Sequence, residues 1–202
     1  MSRPRTIDQE GILDAAEAVV ARDGAVRLTL DSVALEAGIS KASVLYDYKT
    51  KQALIKAVIE RRIAENQAKL RSAIADRGPD PDAAILGRIA LTAERPPDDA
   101  EAVAFNLCSA LAQDAELRSL LNKSYRDELS EILDGSFSPR TALLAFLAVE
   151  GLRSLEFLGI LKWPEAERAQ ILHDIESLLS GQGGSTVPAP RPSDSPTVNS
   201  KH

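Results

Sequence analysis

Apolar residues recur along this chain at the spacing of an α-helix almost from end to end. Ile12, Ala15, Ala16, Val19 and Val20 share one helical face, and Asp23-Gly24 supplies a stop. Ahead of them, Thr6 with Gln9 three residues on has the pattern of a capping box. Thr29 can cap a short second helix with Leu30, Val33 and Ala37 inward. Gly38-Ile39-Ser40 breaks that helix, and Ser40 caps a third that reaches Tyr46. Thr50 caps a long fourth helix through Leu54, Val58, Ile63 and Leu70 to Ala75.

Arg77-Gly78-Pro79-Asp80-Pro81 is a break, with Asp80 as N-cap and Pro81 as the first residue of a helix running to Glu94. Arg95-Pro96-Pro97 ends it, and Asp98 opens another through Phe105, Cys108 and Leu111. Asp114 can cap the next, which holds Leu117, Leu120, Leu121, Leu129 and Leu133 inside and closes at Asp134-Gly135. Ser138-Pro139 opens a strongly apolar helix to Leu158-Gly159. Trp163-Pro164 opens the last, with Ile171, Leu172, Ile175, Leu178 and Leu179 on one side. From Gly181 on, Gly, Pro, Ser and Thr run without periodicity, the composition of a disordered tail over 181–202. No segment alternates with period two, so the expected class is all-α.

Composition narrows the options. The single cysteine, Cys108, excludes an internal disulfide framework and a cysteine-based zinc cluster. The longest apolar run, Ala142 to Val149, is far short of the roughly 18 residues a membrane span needs. The N-terminus carries no apolar signal segment, so a reduced, cytoplasmic protein without membrane attachment is expected. Nothing calls for a cofactor or a metal: there is no phosphate-binding glycine pattern, no Gly-x-Ser-x-Gly and no His/Cys pair at metal spacing.

Residues 29–51 concentrate the candidate chemistry. Two short helices joined by a tight Gly-containing turn match the helix-turn-helix plan, in which the second helix enters a major groove. Val33, Ala37, Ile39, Val44 and Tyr48 can form a small shared core, leaving Ser40, Lys41, Ala42, Ser43 and Tyr46 largely outward. A small Ala42 lets the helix sit close to base edges and contact a thymine methyl, and the Ser43 hydroxyl can donate or accept. Thr29, Ser40 and Thr50 each begin a helix, where free backbone N–H groups favour a phosphate, and Lys51 adds a cation beside one.

On these residues the chain resembles the TetR family of bacterial transcription regulators. The matching run is Ile12-Leu13-x-Ala15-Ala16, then Gly24, Thr29, Val33-Ala34, Ala37-Gly38-Ile39-Ser40-Lys41, Tyr48, and Lys51 followed by Ala53-Leu54. The resemblance covers about residues 6 to 60. It implies a three-helix DNA-binding domain over 6–50 and a helical ligand-binding and dimerisation domain over 51–180. It also implies phosphate contacts by Thr29, Ser40, Tyr46, Thr50 and Lys51, and base reading by Lys41, Ala42 and Ser43. Where the family often has Leu-Tyr-x-His-Phe, this chain has Val44-Leu45-Tyr46-Asp47-Tyr48. An anion at Asp47 would repel phosphate, so Asp47 is expected to turn aside as a cap or to pair with Lys49 or Lys51.

In the helix after Pro139, Phe146, Glu150, Arg153 and Phe157 fall on one stripe, and Leu144, Leu147, Gly151, Leu155 and Leu158 on another. A helix apolar on two sides must be covered on two sides, by a dimer partner and by a pocket or core. Gly151 would permit close helix approach. Phe105, Cys108, Phe146, Phe157 and Trp163 are candidate walls of an effector pocket, with Glu150 and Arg153 placed to orient a polar group; core packing and an (i, i+3) surface pair are the plainer alternatives.

The leading expectation is a dimeric repressor on a palindromic operator in double-stranded DNA, released by a small-molecule effector. The alternatives are an all-helical carrier or enzyme without DNA binding, and a helical adaptor. The formal net charge of −6 argues against a protein that coats nucleic acid. Residues 1–63, however, hold 10 Lys and Arg against 9 Asp and Glu, and 38–56 hold four lysines and one acid. The acidity lies in the second half, which suits a reader of DNA with few phosphate contacts per subunit.

Overall fold

The computed structural model describes residues 9–95, 103–107 and 114–181. Every regular element in them is helical. In chain order these are α1 (Gln9–Asp23), α2 (Leu30–Glu36), α3 (Lys41–Asp47), α4 (Lys51–Ala75), α5 (Ala83–Ala93), a short helical segment 103–107, α6 (Ala115–Gly135), α7 (Pro139–Phe157) and α8 (Glu165–Leu179). Thr6, the proposed first half of a capping box, lies outside the described residues, as does the 182–202 stretch of the expected tail.

The caps explain most of the boundaries. Thr29 Oγ1 accepts the Ser32 N–H and Ser32 Oγ accepts the Thr29 N–H, both at 3.0 Å, a reciprocal box that starts α2. Thr50 Oγ1 accepts the Ala53 N–H at 3.0 Å and starts α4; Asp114 Oδ1 accepts from Glu116 and Leu117 and starts α6. Gly38 ends α2 at φ +64, with Ile39 N–H donating to the Ala34 carbonyl and Gly38 N–H to that of Leu35. This Schellman arrangement needs a left-handed residue, which a side chain would strain. The expected start of α5 is corrected: Asp80 does not cap it and Pro81 is not its first residue. Asp80 Oδ1 accepts the Asp82 N–H at 2.8 Å and its carbonyl the Ala83 N–H at 3.0 Å, a turn that precedes the helix, which begins at Ala83. In α6 the fully buried position is Ile132, and Leu133 is only half-buried.

Two apolar cores result. The first joins Ile12, Val19 and Val20 of α1, Val33 of α2, Val44 of α3 and Leu54 and Val58 of α4, and is completed by Val103, Leu107 and Leu117 from the second half of the chain. The second joins Ile85 and Ile89 of α5, Ile132 of α6, Ala142, Phe146 and Val149 of α7, and Leu172 and Ile175 of α8. Helix α4, about 37 Å long by its residue count, enters the first core with its N-terminal half and then packs on α5. The close crossing of α4 and α5 depends on Gly87, where an added Cβ would lie 2.7 Å from Ile74 Cγ1 and 2.9 Å from its backbone nitrogen. Gly151, by contrast, has open space around it within the chain.

Candidate nucleic-acid interface

Helix α3 is held by one fully buried residue, Val44, with Ile39 and Tyr48 packed beside it on the first core. That anchoring turns Lys41, Ala42 and Tyr46 outward, Tyr46 with 73% of its surface exposed. Ser40 Oγ accepts the Ser43 N–H at 3.1 Å and shares a hydrogen bond of 2.8 Å with the half-buried Ser43 hydroxyl. Ser40 therefore caps α3, and both hydroxyls keep spare hydrogen-bonding capacity.

Contacts draw the other expected residues to the same region. Lys51 Nζ donates to the Val26 carbonyl at 2.6 Å, fastening the start of α4 to the α1–α2 loop just before Thr29. Lys49 Nζ donates to the Tyr46 carbonyl at 3.1 Å and sits 5.7 Å from that ring's centroid. Lys41 Nζ pairs with Asp31 Oδ2 at 2.7 Å, tying α3 to the first turn of α2. These contacts tie α3 to α2 and the start of α4 to the loop before α2; of the expected residues, Thr29, Ser40, Lys41, Ala42, Tyr46 and Thr50 are exposed and Ser43 and Lys51 half-buried.

Asp47 does turn aside, but its expected pairing with Lys49 or Lys51 is corrected. Its Oδ1 accepts from Gln9 Nε2 at 2.9 Å, and its Oδ2 is buried with no hydrogen-bond partner among the described residues. Asp47 is the last residue of α3, and α1 lies behind it, so its carboxylate faces inward; both lysines find carbonyl oxygens instead. Burial, then the charges of Asp47 and Glu10, push the Tyr48 phenol above its usual range. Ser32, Asp31 and Gln9 were not expected as partners. Only Ser32 had a local signal, three residues after Thr29; Asp31 and Gln9 are joined to α3 across 10 and 38 residues.

An ion cluster fixes α4 to α1. Arg61 reaches Asp14 at 2.7 Å, Glu17 at 2.8 Å and Glu10 at 3.3 Å, and Arg62 reaches Glu17 at 2.9 Å. Burial works against the Arg61 charge, but the carboxylates of Glu17 and Asp14 outweigh it and hold the guanidinium above its usual range. The junction with the second half is equally specific. Asn106 Nδ2 donates to the Val20 carbonyl at 3.0 Å, at the end of α1, and Lys56 pairs with Glu116.

The effector candidates fall into separate places. The Phe105 and Phe157 rings lie 5.8 Å apart, and Phe146 sits edge-on to Tyr125 at 6.4 Å. Trp163 packs on the second core, with its indole N–H buried and unpartnered among the described residues. Cys108 lies outside the described residues. Glu150 and Arg153 meet at 2.9 Å, but not as a surface pair: Glu150 also takes the buried Arg88 guanidinium and the Tyr125 hydroxyl. Arg88 reaches Glu128 at 3.3 Å as well. Burial raises the Glu128 carboxyl, whereas Arg153 and Arg88 overcome burial at Glu150 and lower it. An open groove of about 200 Å³ between α4 and α6 is lined by Glu60, Ile63, Ala64, Gln67, Leu120 and Lys123 among others, and by none of the expected effector residues.

A three-helix unit with a capped, outward-facing third helix, leading through one long helix into a helical bundle, defines a helix-turn-helix regulator with a second, all-helical domain. Residues 12–58 match the model described as bacterial regulatory proteins, tetR family, and residues 88–180 match the tetracyclin repressor-like C-terminal domain. The two matches together span well over half of the chain, which belongs to the TetR family of bacterial transcriptional regulators. Solved structures share the fold. A TetR-family regulator from Mesorhizobium loti is 15% identical, with TM-score 0.71 over 90% of this chain and 98% of that one. A transcriptional regulator from Saccharomonospora viridis in complex with choline is 17% identical, with TM-score 0.69 over 84% and 95%. The multidrug binding protein EbrR, complexed with imidazole, is 23% identical, with TM-score 0.63 over 93% and 96%. No curated protein matches the chain.

Proposed function

We propose that this regulator is a homodimeric repressor that binds a palindromic operator in double-stranded DNA and is released from it by a small-molecule effector, working in the cytoplasm. The observation that carries the reading is the outward face of α3: Lys41 and Ala42 exposed on a helix fixed by Val44, with Thr29 capping α2 and Thr50 and Lys51 at the start of α4. Ala42 leaves room for base edges, and Lys51 and Lys49 supply charge for the backbone on either side.

Dimerisation is supported by α7. Leu144, Leu147 and Leu158 are each more than half exposed along one stripe, and Leu178 of α8 is exposed too, whereas Phe146, Val149 and Leu152 fill the core. A two-fold partner on that stripe would set two α3 helices about 34–36 Å apart, one turn of DNA. Two structures of the same fold hold small molecules, choline and imidazole. In this chain, the buried Arg88–Glu128–Glu150 cluster and the aromatic residues of α7 are the groups suited to hold an effector. The 103–107 segment links Phe157 of α7 to the end of α1 through Phe105 and Asn106, a short route by which an effector can favour one conformer.

The test is a gel shift with DNA from upstream of the protein's own gene. Sequence-selective, salt-dependent binding is expected. Lys51→Ala should weaken it on every sequence with a salt slope shallower by about 0.9, and Ala42→Asp should abolish it. Binding unaffected by both substitutions overturns the reading.

A further inference from the structure

Lys41 and Lys51 sit on the same surface but carry different charge environments. Lys51 and Lys49 donate to backbone carbonyls, which carry no net charge. Lys41 is paired with a carboxylate, Asp31 Oδ2, at 2.7 Å. The pair is not buried: the Lys41 side chain is 52% exposed and that of Asp31 67%. The acid of α3, Asp47, is directed back to Gln9. Asp31 is therefore a carboxylate left open on the surface that the reading above turns toward DNA.

We propose that Asp31 is a specificity-determining residue that converts Lys41 from a phosphate contact into a base reader; this rests on the DNA-binding reading above. An ammonium group has three N–H donors, and Asp31 takes one. Two remain for neutral acceptors, such as the O6 and N7 atoms of a guanine in the major groove. Affinity for phosphate, by contrast, comes from net positive charge and the counterions it displaces. The Asp31–Lys41 pair has no net charge to displace them, and the carboxylate itself repels an approaching phosphate. The pair thus withholds Lys41 from sequence-independent binding while leaving it competent to donate to a base. Lys49 and Lys51 supply positive charge on this face with no carboxylate partner among the described residues, which fits a protein of net charge −6 that must not dwell on random DNA.

The experiment compares the full chain with Asp31→Asn, Asp31→Glu and the double variant Asp31→Asn/Lys41→Ala. Binding is measured by fluorescence anisotropy, across a salt series, on two duplexes of equal length. One is enriched by the wild-type protein from a random-sequence library, and the other is its scrambled sequence. Asp31→Asn should bind the scrambled duplex several-fold more tightly at about 50 mM salt, with log K against log salt steeper by about 0.9, the value of one added phosphate contact. Its preference for the enriched duplex should fall. Asp31→Glu should keep the wild-type slope, and the double variant should lose the gain. An unchanged slope and unchanged scrambled-duplex affinity in Asp31→Asn overturn the proposal, as does a gain that survives loss of Lys41. A wild-type chain that enriches no sequence overturns the DNA-binding reading itself and this proposal with it. Circular dichroism melting of each variant separates these outcomes from loss of fold.

Discussion

The two halves of this protein are held together in different ways. In the first, hydroxyl caps start α2, α3 and α4 three residues before the N–H each accepts, glycines stop α1 and α2, and the Arg61 cluster borders an aliphatic core rather than threading it. In the second, apolar packing is threaded by buried ions. Arg88 is 2% exposed with Glu150 and Glu128 around it, and Arg168 is 3% exposed, bonded to Glu156 and to the Thr92 and Ala93 carbonyls at the end of α5. The first half must present a surface of fixed shape, and local capping gives each short helix a defined start. The second half keeps polar groups inside, which is costly for stability alone and useful where a cavity must recognise a molecule.

The largest expected effect breaks this comparison at Arg88. Arg88→Ala leaves Glu150 and Glu128 short of their cation, and urea unfolding should show a loss of about 3–5 kcal/mol. Arg88→Lys should restore only part of it, because an ammonium cannot supply the planar fork. Equal stability of all three forms would remove the ionic account of the second half.

A steric change at the seam comes next. Gly87→Ala sets a methyl group against the Ile74 backbone and should cost about 1–3 kcal/mol by the same measurement. Gly151→Ala, mid-helix with open space around it in the chain, should instead raise monomer stability by up to about 1 kcal/mol. A cap in the first half is worth less: Thr50→Ala should lower stability by about 1 kcal/mol, and Thr50→Ser should preserve it.

The smallest effect is a pH dependence. Burial holds the Glu128 carboxyl above its ordinary 4.5 in the folded chain, with Arg88 opposing. Its ionisation therefore costs stability, a cost absent below the unfolded value and complete above the folded one. Glu128→Gln should gain stability relative to the wild type as pH rises through that window. Glu150, lowered by Arg153 and Arg88 against burial, works in the other direction: its stabilisation is present above 4.5 and lost as pH falls through its folded value. Urea unfolding midpoints across the acid range check both signs.

Much of this was legible in the sequence because the relevant interactions are local. A helix start is decided within three residues, so Thr29, Ser40, Thr50 and Asp114 announce α2, α3, α4 and α6 without knowledge of the fold. Periodicity likewise marks Val33, Val44 and Val58 as inward. The same logic misplaced the start of α5, which follows a turn at Asp80 and begins at Ala83. What only the tertiary structure decided are the pairings that no period encodes. Lys41 finds Asp31, Asp47 finds Gln9 rather than a nearby lysine, Arg88 finds Glu150 across 62 residues, and Gly87 proves to be the glycine on which a helix crossing depends. A charged side chain chooses its partner by proximity in space and by what burial leaves unsatisfied, and both are properties of packed helices rather than of any one of them.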